Sequence, residues 1–200
     1  MTSCWQPGAP VQLSASTNPK RKLDWTLERI DMGAGWIGIN TNRVNRYIGQ
    51  FIVQQQIPEL SGYTHCKAEP AYGDHSGRPS RFDFALSEPN RPTCFVEIKN
   101  ATLLKDGEIQ FPDAVTTRGQ KHLELLADAV KEGFRAVLLF AVNRPEGQIF
   151  RLAGDIDPNY VSAFESAVAS GVEVMALRIV HTKTSVEPGS LLPLGLPITV

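Results

Sequence analysis

The segment that most constrains the fold is an uninterrupted apolar run at residues 136–142. Successive side chains of a strand point to opposite faces of its sheet, so a strand without polar residues has both faces buried. One helix is predicted before this run, capped by Thr116 or Thr117 and ending near Glu132. Another follows it and is opened by Asp157, which a proline follows. The sequence therefore predicts a central strand in a mixed sheet that helices cover on both sides.

Hydrophobic periodicity predicts the other elements around this strand. Apolar residues recur at helical spacing over residues 41–56, until Pro58 ends the pattern. A turn-rich connection at residues 87–92 suits an antiparallel hairpin between the strands on either side of it. Beyond residue 180, prolines and glycines indicate an irregular tail. The remaining predicted strands lie at residues 67–72, 81–86, 94–99 and 172–180.

The N-terminal part of the chain has the pattern of β structure. A short strand is predicted at residues 11–16, and residues 23–30 and 36–40 form a predicted hairpin. Three short strands leave exposed edges, so this part is either a fragment of a larger β domain or an extension packed on the rest. We expect N-terminal strands to be missing, and we divide the chain into residues 1–39 and residues 40–200.

The composition of the chain limits the classes of protein to which it can belong. The chain has 200 residues, 42% of them hydrophobic and 20% charged, which is typical of a soluble globular protein. It has neither a membrane-length apolar stretch nor an apolar signal core, so we expect a cytoplasmic protein without membrane contact. Cys4, Cys66 and Cys94 form no metal-binding or disulfide pattern, which fits a reducing compartment. The formal net charge of -1 requires that any nucleic-acid contact be a local basic surface.

Strand alternation brings three charged residues together. In the strand at residues 81–86, Phe82, Phe84 and Leu86 are expected on one face and Asp83 on the other.

The same alternation in the next strand places Val96 and Ile98 in the core, and it directs Glu97 and Lys99 to the opposite side. If the two strands pair, Asp83 joins Glu97 and Lys99.

These residue types suit hydrolysis of a phosphodiester. Asp83 and Glu97 are candidate ligands of Mg²⁺ or Mn²⁺, which would polarise a phosphoryl oxygen and activate a water. Lys99 is a candidate for orienting that water or stabilising negative charge on the phosphate. An acid followed after thirteen residues by Glu-x-Lys matches the PD-(D/E)xK pattern of the restriction-endonuclease-like superfamily. A cross-strand cluster of surface ion pairs explains the same spacing and stays open.

Two basic segments are candidate DNA contacts. Arg118 lies one helical turn from Lys121 and His122, at the positive end of the second predicted helix, where phosphate oxygens are favoured. A solvated first turn is the alternative.

The turn containing Lys20, Arg21 and Lys22 is the second segment, and Trp25 nearby is able to stack on a base. A solubilising turn with Trp25 in the core explains this segment equally well.

Other chemistries lack their motifs. The sequence has no Gly-x-Ser-x-Gly, no glycine-rich phosphate loop and no Cys/His pair with a supporting acid. His65, His75 and His181 have no partner at metal-ligand spacing, so we interpret them as structural or surface residues.

Four segments, at residues 58–63, 80–84, 97–103 and above all 111–123, resemble the sugar fermentation stimulation protein (SfsA) family, and the likeness extends to residues 196–200. The resemblance implies an OB-like β domain followed by a restriction-endonuclease-like domain, in a DNA-binding protein linked to sugar (maltose) metabolism. By position, Asp83, Glu97 and Lys99 match the nuclease-like acids and lysine of the family.

By position, Arg118, Gln120 and His122 match the family's Arg-Gly-Gln-Lys-His segment. Relatives begin well upstream of Met1, so the OB-like segment is expected to be incomplete, through a start codon recorded too late or a reduced β domain.

Three functions follow as hypotheses. The chain is a Mg²⁺- or Mn²⁺-dependent DNA nuclease, a DNA-binding regulator without turnover, or a phosphodiesterase acting on a small nucleotide. The sequence leaves the oligomeric state open.

Overall fold

The computed structural model describes residues 3–73 and 79–195. His75 and residues 196–200 lie outside the described residues. The helices within the described part are α1 (Val44–Val53), α2 (Thr117–Lys131) and α3 (Pro158–Ala169). The strands there are β1 (Val11–Ala15), β2 (Trp25–Asp31), β3 (Trp36–Gly38), β4 (His65–Ala68), β5 (Ala71–Gly73), β6 (Pro79–Arg81), β7 (Phe84–Ser87), β8 (Cys94–Ala101), β9 (Leu103–Lys105), β10 (Glu108–Phe111), β11 (Arg135–Val142), β12 (Phe150–Leu152), β13 (Glu173–His181) and β14 (Val186–Leu191).

The main sheet has six strands in the order β14-β13-β11-β8-β7-β4. The apolar strand β11 lies inside it and runs parallel to both of its neighbours, with Leu138 opposite Glu97 of β8 and Val174 of β13. Strands β7 and β8 form the predicted antiparallel hairpin, with Phe84 opposite Val96. The prediction of a central strand in a mixed sheet is confirmed.

Helices cover both faces of this sheet. On one face, the buried Ile48 and Phe51 of α1 belong to the same hydrophobic cluster as Val137 and Leu139 of β11. On the other face, α2 and α3 pack against the alternate residues of β11. The hydrophobic cluster on this face includes Leu123 and Leu126 of α2 and Tyr160 and Phe164 of α3. Burial of apolar surface on both faces is the main stabilising contribution to this layered core.

The starts of α2 and α3 follow the predicted capping chemistry. The Thr116 hydroxyl accepts a hydrogen bond from Gly119 N at 3.0 Å, and Asp157 Oδ1 accepts one from Tyr160 N at 2.9 Å. Asp157 Oδ2 also accepts from Thr116 N at 2.8 Å, so one carboxylate ties the two helix starts together. Each cap satisfies backbone donors that the helix itself leaves unpaired.

Several predicted boundaries are wrong. Residues 67–72 are not one strand, because Glu69 adopts a positive φ of 47° and separates β4 from β5. Residues 81–86 are also broken, since β6 pairs with β5 while β7 pairs with β8. The first helix begins with a 3-10 turn at Thr41–Arg43. The tail is not irregular throughout, because β14 pairs with β13 in antiparallel register.

The N-terminal strands β1, β2 and β3 form a small separate sheet. Gly38 N donates to Asn143 O at 2.8 Å and so attaches β3 to the end of β11. Gly38 is also required sterically, since a Cβ at this position would lie 2.4 Å from His181 Nε2.

A buried arginine joins the chain start to the main sheet. The side chain of Arg144 is 2% exposed and donates to Ser3 Oγ at 3.0 Å and to Thr102 O at 2.7 Å. Its other guanidinium nitrogens donate to both carboxylate oxygens of Glu146, at 2.9 and 3.0 Å. Removal of this side chain takes away the ion-pair partner of the partly buried Glu146 carboxylate.

We predict that Arg144→Met lowers the free energy of unfolding by about 3 kcal/mol, because breaking a buried, hydrogen-bonded ion pair leaves its partner uncompensated. Urea denaturation measures the change. Lys131→Met is the control, since the ion pair of Lys131 with Asp128 is largely exposed and its loss should change stability by less than about 0.5 kcal/mol. Equal stability of Arg144→Met and the control would contradict this role of Arg144.

A second prediction concerns pH. Burial, followed by the charge of Arg29, lowers the pKa of His181 from 6.5 to about 4. The unfolded chain therefore binds a proton that the folded chain does not bind between these values, and stability falls as pH decreases through this window. The slope contributed by His181 reaches at most about 1.4 kcal/mol per pH unit.

The variant His181→Gln keeps an N–H donor for Asn143 Oδ1, which His181 Nε2 contacts at 2.8 Å, but it does not titrate. Urea unfolding across this pH window should show a shallower loss of stability for the variant than for wild type. Identical slopes would contradict the assignment.

Candidate metal and nucleic-acid site

Asp83 lies in the break between β6 and β7, where it is held against β8. Its Oδ2 accepts a hydrogen bond from Ile98 N at 2.7 Å, and its Oδ1 accepts one from Asn45 Nδ2 at 2.6 Å. The backbone is fixed as well, since Glu69 N donates to Asp83 O at 2.9 Å. The Asp83 carboxylate is thus held at Ile98, the residue between Glu97 and Lys99 on β8.

The predicted common face of Phe82, Phe84 and Leu86 is wrong. Phe82 packs with Tyr72 and Phe95 in the cluster beneath α2 and α3, whereas Phe84 and Leu86 belong to the cluster beneath α1. The strand break at Phe82 and Asp83 interrupts the alternation that the sequence pattern assumed. Because of this break, the Asp83 carboxylate accepts the hydrogen bond from Ile98 N, in place of a backbone carbonyl of a neighbouring strand.

Glu97 is the buried acid of the site. It lies on β8 with its side chain 4% exposed, and Val96 and Ile98 on either side of it belong to the opposite cluster, as predicted. Its Oε1 accepts from Lys99 Nζ at 2.7 Å and is also hydrogen bonded to His122 Nδ1. Its Oε2 is buried and has no hydrogen-bond partner among the described residues.

The two acids have opposite electrostatic environments. Burial acts to raise the pKa of Glu97, but the hydrogen bond from His122 and the charge of Lys99 outweigh it, and the pKa lies below its usual value. Burial, and then the negative charge of Glu97, raise the pKa of Asp83, against the opposing effects of Ile98 N and Asn45. The effect of the Glu97 charge on the pKa of Asp83 places the two carboxylates in one electrostatic environment.

The residues predicted on the first turns of α2 separate in the structure. Arg118 and Lys121 are exposed. The Gln120 amide instead donates to the two Asp157 oxygens at 3.2 and 3.3 Å, and His122 is buried against Glu97.

The sequence analysis missed Asn45 as a partner of Asp83 and His122 as a partner of Glu97. Neither pairing has a signal in residue spacing, because both depend on how α1 and α2 pack on β8.

The site offers two acids to a cation. Within residues 3–73 and 79–195, no group of three or more His, Cys, Asp or Glu side chains is close enough together to hold a metal. Mg²⁺ commonly uses only one or two carboxylates and completes its octahedron with waters and substrate phosphates. The unpartnered Glu97 Oε2 and the carboxylate of Asp83 fit such an ion.

The predicted basic turn lies on the N-terminal sheet. Lys20, Arg21 and Lys22 are exposed, and Arg21 donates to Thr26 Oγ1 at 2.6 Å. Trp25 is 59% exposed and therefore does not belong to the core. The N-terminal sheet also exposes the apolar side chains of Val11, Leu13 and Leu27.

Two surface grooves flank the start of α1. One has a volume of about 440 Å³ and lies beside Asp83, with Asn45, Arg46 and Gln50 on its rim and Phe84 among its apolar lining. The other has a volume of about 530 Å³. Its lining includes Arg21, Thr26, Asn42 and Arg43. The beginning of α1 thus separates the basic turn from the acid site.

No helix in the described part of the chain has the length and apolar character needed to cross a membrane.

Comparison with known proteins gives consistent matches over the chain. The profile of the sugar fermentation stimulation protein RE domain matches residues 42–185, and that of the SfsA N-terminal OB domain matches residues 1–39. A sugar fermentation stimulation protein homolog from Shewanella frigidimarina is 47% identical over 195 residues, which cover 96% of this chain and 80% of that protein. One from Acidithiobacillus ferrooxidans is 45% identical over 179 residues, covering 89% and 75%.

A solved structure has the same fold. SfsA from Pyrococcus furiosus, described in complex with Ca²⁺, superimposes with a TM-score of 0.84 at 24% identity, over 98% of this chain and 82% of that chain. The fold class is the predicted α/β type with a restriction-endonuclease-like mixed sheet, and an OB-type β segment precedes it. Because the RE-domain profile covers most of the sequence and a homologue that matches 96% of it is 47% identical, this chain belongs to the sugar fermentation stimulation protein (SfsA) family.

Proposed function

We propose that this chain binds DNA and hydrolyses phosphodiester bonds at a Mg²⁺ or Mn²⁺ site formed by Asp83, Glu97 and Lys99. The observation that carries the proposal is Glu97 Oε2, a buried carboxylate oxygen without a partner among the described residues. Such an oxygen is costly unless something satisfies it, and a hard cation prefers oxygen ligands. The Ca²⁺ complex of the Pyrococcus furiosus relative supports a divalent ion at this fold.

Each residue has a distinct part in the proposed chemistry. Asp83 and Glu97 would hold the ion, which would polarise a phosphoryl oxygen and lower the pKa of a water. Lys99 is mostly buried with its ammonium 2.7 Å from Glu97 Oε1, so it places a fixed positive charge next to the reacting phosphate. Asn45 and Ile98 N keep the Asp83 carboxylate oriented.

DNA reaches this site along the start of α1. The groove beside Asp83 is large enough for a nucleotide, with an apolar lining for a base and amide and guanidinium groups at its rim. The second groove begins at the basic turn, where Lys20, Arg21 and Lys22 contact phosphates. Trp25 stacks on a base of an unpaired strand. Arg118 and Lys121 supply further phosphate contacts from the exposed side of α2.

A DNA-binding regulator without turnover is the second candidate. It is favoured by the separation of the exposed basic turn from the acid site, since binding at Lys20, Arg21 and Lys22 requires no metal. The names of the relatives connect the family with sugar fermentation, and we propose a regulatory role in sugar (maltose) metabolism for either candidate. The free thiols of Cys4, Cys66 and Cys94 fit work in the reducing cytoplasm.

Metal-dependent cleavage is the first test. Asp83→Asn removes a charged ligand with little change in shape, and Lys99→Met removes the ammonium but keeps its hydrocarbon chain. We predict that each variant reduces Mn²⁺-dependent cleavage of plasmid and single-stranded DNA by at least about 100-fold, the typical loss when one charge-stabilising group is removed.

Asp155→Asn is the matched control, since Asp155 is an exposed acid paired with Lys105 at 2.6 Å and does not line the groove beside Asp83, and it should cleave like wild type. Circular dichroism confirms that all variants are folded. Wild-type cleavage that Asp83→Asn does not reduce would contradict the site. DNA retention without any cleavage, unchanged by a chelator, would identify the regulator instead, and a dinucleotide cleaved in preference to DNA would identify a small substrate.

The basic turn is tested by salt dependence. We predict that Lys20→Gln combined with Lys22→Gln weakens DNA binding and lowers the slope of log K against log salt by about 2, since roughly one counterion is released per neutralised phosphate. Lys105→Gln combined with Lys131→Gln is the control, because it removes the same charge elsewhere on the surface. Lys105 and Lys131 are paired with Asp155 and Asp128, and their loss should leave the slope unchanged. Equal slopes for the two double variants would contradict DNA contact at the turn.

A further inference from the structure

His122 is buried, and its two ring nitrogens lie next to Glu97 and Arg118. We propose that His122 is a positioning residue for the metal site: it fixes Glu97 through Oε1 so that Oε2 is presented to the divalent ion. This inference rests on the proposed function. It assigns to His122 a role that differs from the phosphate contact expected from its sequence position.

The proton on the imidazole is placed by its second neighbour. Arg118 Nε lies 3.4 Å from His122 Nε2, and a guanidinium nitrogen only donates. His122 Nε2 must therefore accept with its lone pair, which leaves the ring proton on Nδ1. This N–H points to Glu97 Oε1 and donates to it. The exposed Arg118 thereby sets the tautomer of a buried histidine.

Two donors on one oxygen determine which oxygen is available. Lys99 Nζ and His122 Nδ1 both donate to Glu97 Oε1, while Oε2 is buried without a partner among the described residues. If either donor were lost, the carboxylate would be able to rotate and bring Oε2 to the remaining donor. Donors from two different elements, β8 and α2, oppose that rotation.

The backbone that carries His122 is itself firmly placed. Gly119 allows close approach, because a Cβ there would lie 2.8 Å from Thr116 Cγ2 and 2.9 Å from the Tyr160 ring. Gln120 bonds to Asp157, the cap of α3. These contacts fix the first turn of α2 and hence the distance from His122 to β8. Partners that orient a ligand in this way typically contribute 10–100-fold to metal affinity.

The experiment compares three substitutions at His122 in the full chain. His122→Asn keeps an N–H donor close to the position of Nδ1, His122→Gln moves the amide toward the position of Nε2, and His122→Leu removes both. Mn²⁺ binding to the DNA-free protein is measured by calorimetry and by the paramagnetic resonance of free Mn²⁺. We expect His122→Gln and His122→Leu to bind Mn²⁺ about 10–100-fold more weakly, and His122→Asn to stay close to wild type.

A control variant and the comparison of two His122 variants separate the positioning of Glu97 from general packing of the core. His181→Gln, a change at a buried histidine that contacts neither acid in any described hydrogen bond, should leave Mn²⁺ affinity unchanged. If His122→Leu does not fold, the comparison of His122→Asn with His122→Gln still decides the matter. If these two variants bind Mn²⁺ with equal affinity, the inference is overturned. The proposed function still stands in that case, provided that wild type binds Mn²⁺. Failure of wild type to bind Mn²⁺ overturns the proposed function and the inference with it.

Discussion

The structure of the site depends on one buried carboxylate. Glu97 is enclosed on β8 with one oxygen held by Lys99 and His122 and the other without a partner among the described residues. A buried charge is tolerated only when opposite charge and hydrogen bonds compensate it. Lys99 provides the charge and His122 provides a second donor, so the carboxylate remains ionised with one oxygen still available. Asp83 reaches the same strand through Ile98 N. A divalent ion is the partner that we propose for the available oxygen.

The rest of the fold supplies rigid positions for these groups. Strand β8 lies between β7 and β11, and apolar packing on both sheet faces keeps it from shifting. Because α2 is capped by Thr116 and tied through Gln120 to Asp157, the donor from α2 is as well placed as the donors from the sheet. Sites built on packed strands and helices hold their groups more closely than sites on loops.

The sequence predicts much of this architecture, because periodicity and caps are local signals. The buried strand β11, the hairpin of β7 and β8, and the caps Thr116 and Asp157 all follow from such signals. The break at Asp83 does not, since it depends on a separate pairing of β5 with β6. The contacts of Asn45 and His122 with the two acids also arise from helix packing, which residue spacing does not report. The sequence pattern predicts the two acids and the lysine, but it does not predict the side chains that hold them in place.

We propose that Glu97 Oε2 and Asp83 bind one divalent ion. Crystals soaked in Mn²⁺ and measured by anomalous diffraction test it most directly, because the signal locates the metal without reference to activity. We expect an anomalous peak at bonding distance from Glu97 Oε2 and from a carboxylate oxygen of Asp83. A soak that saturates other Mn²⁺ positions but leaves no peak between these two side chains would contradict it.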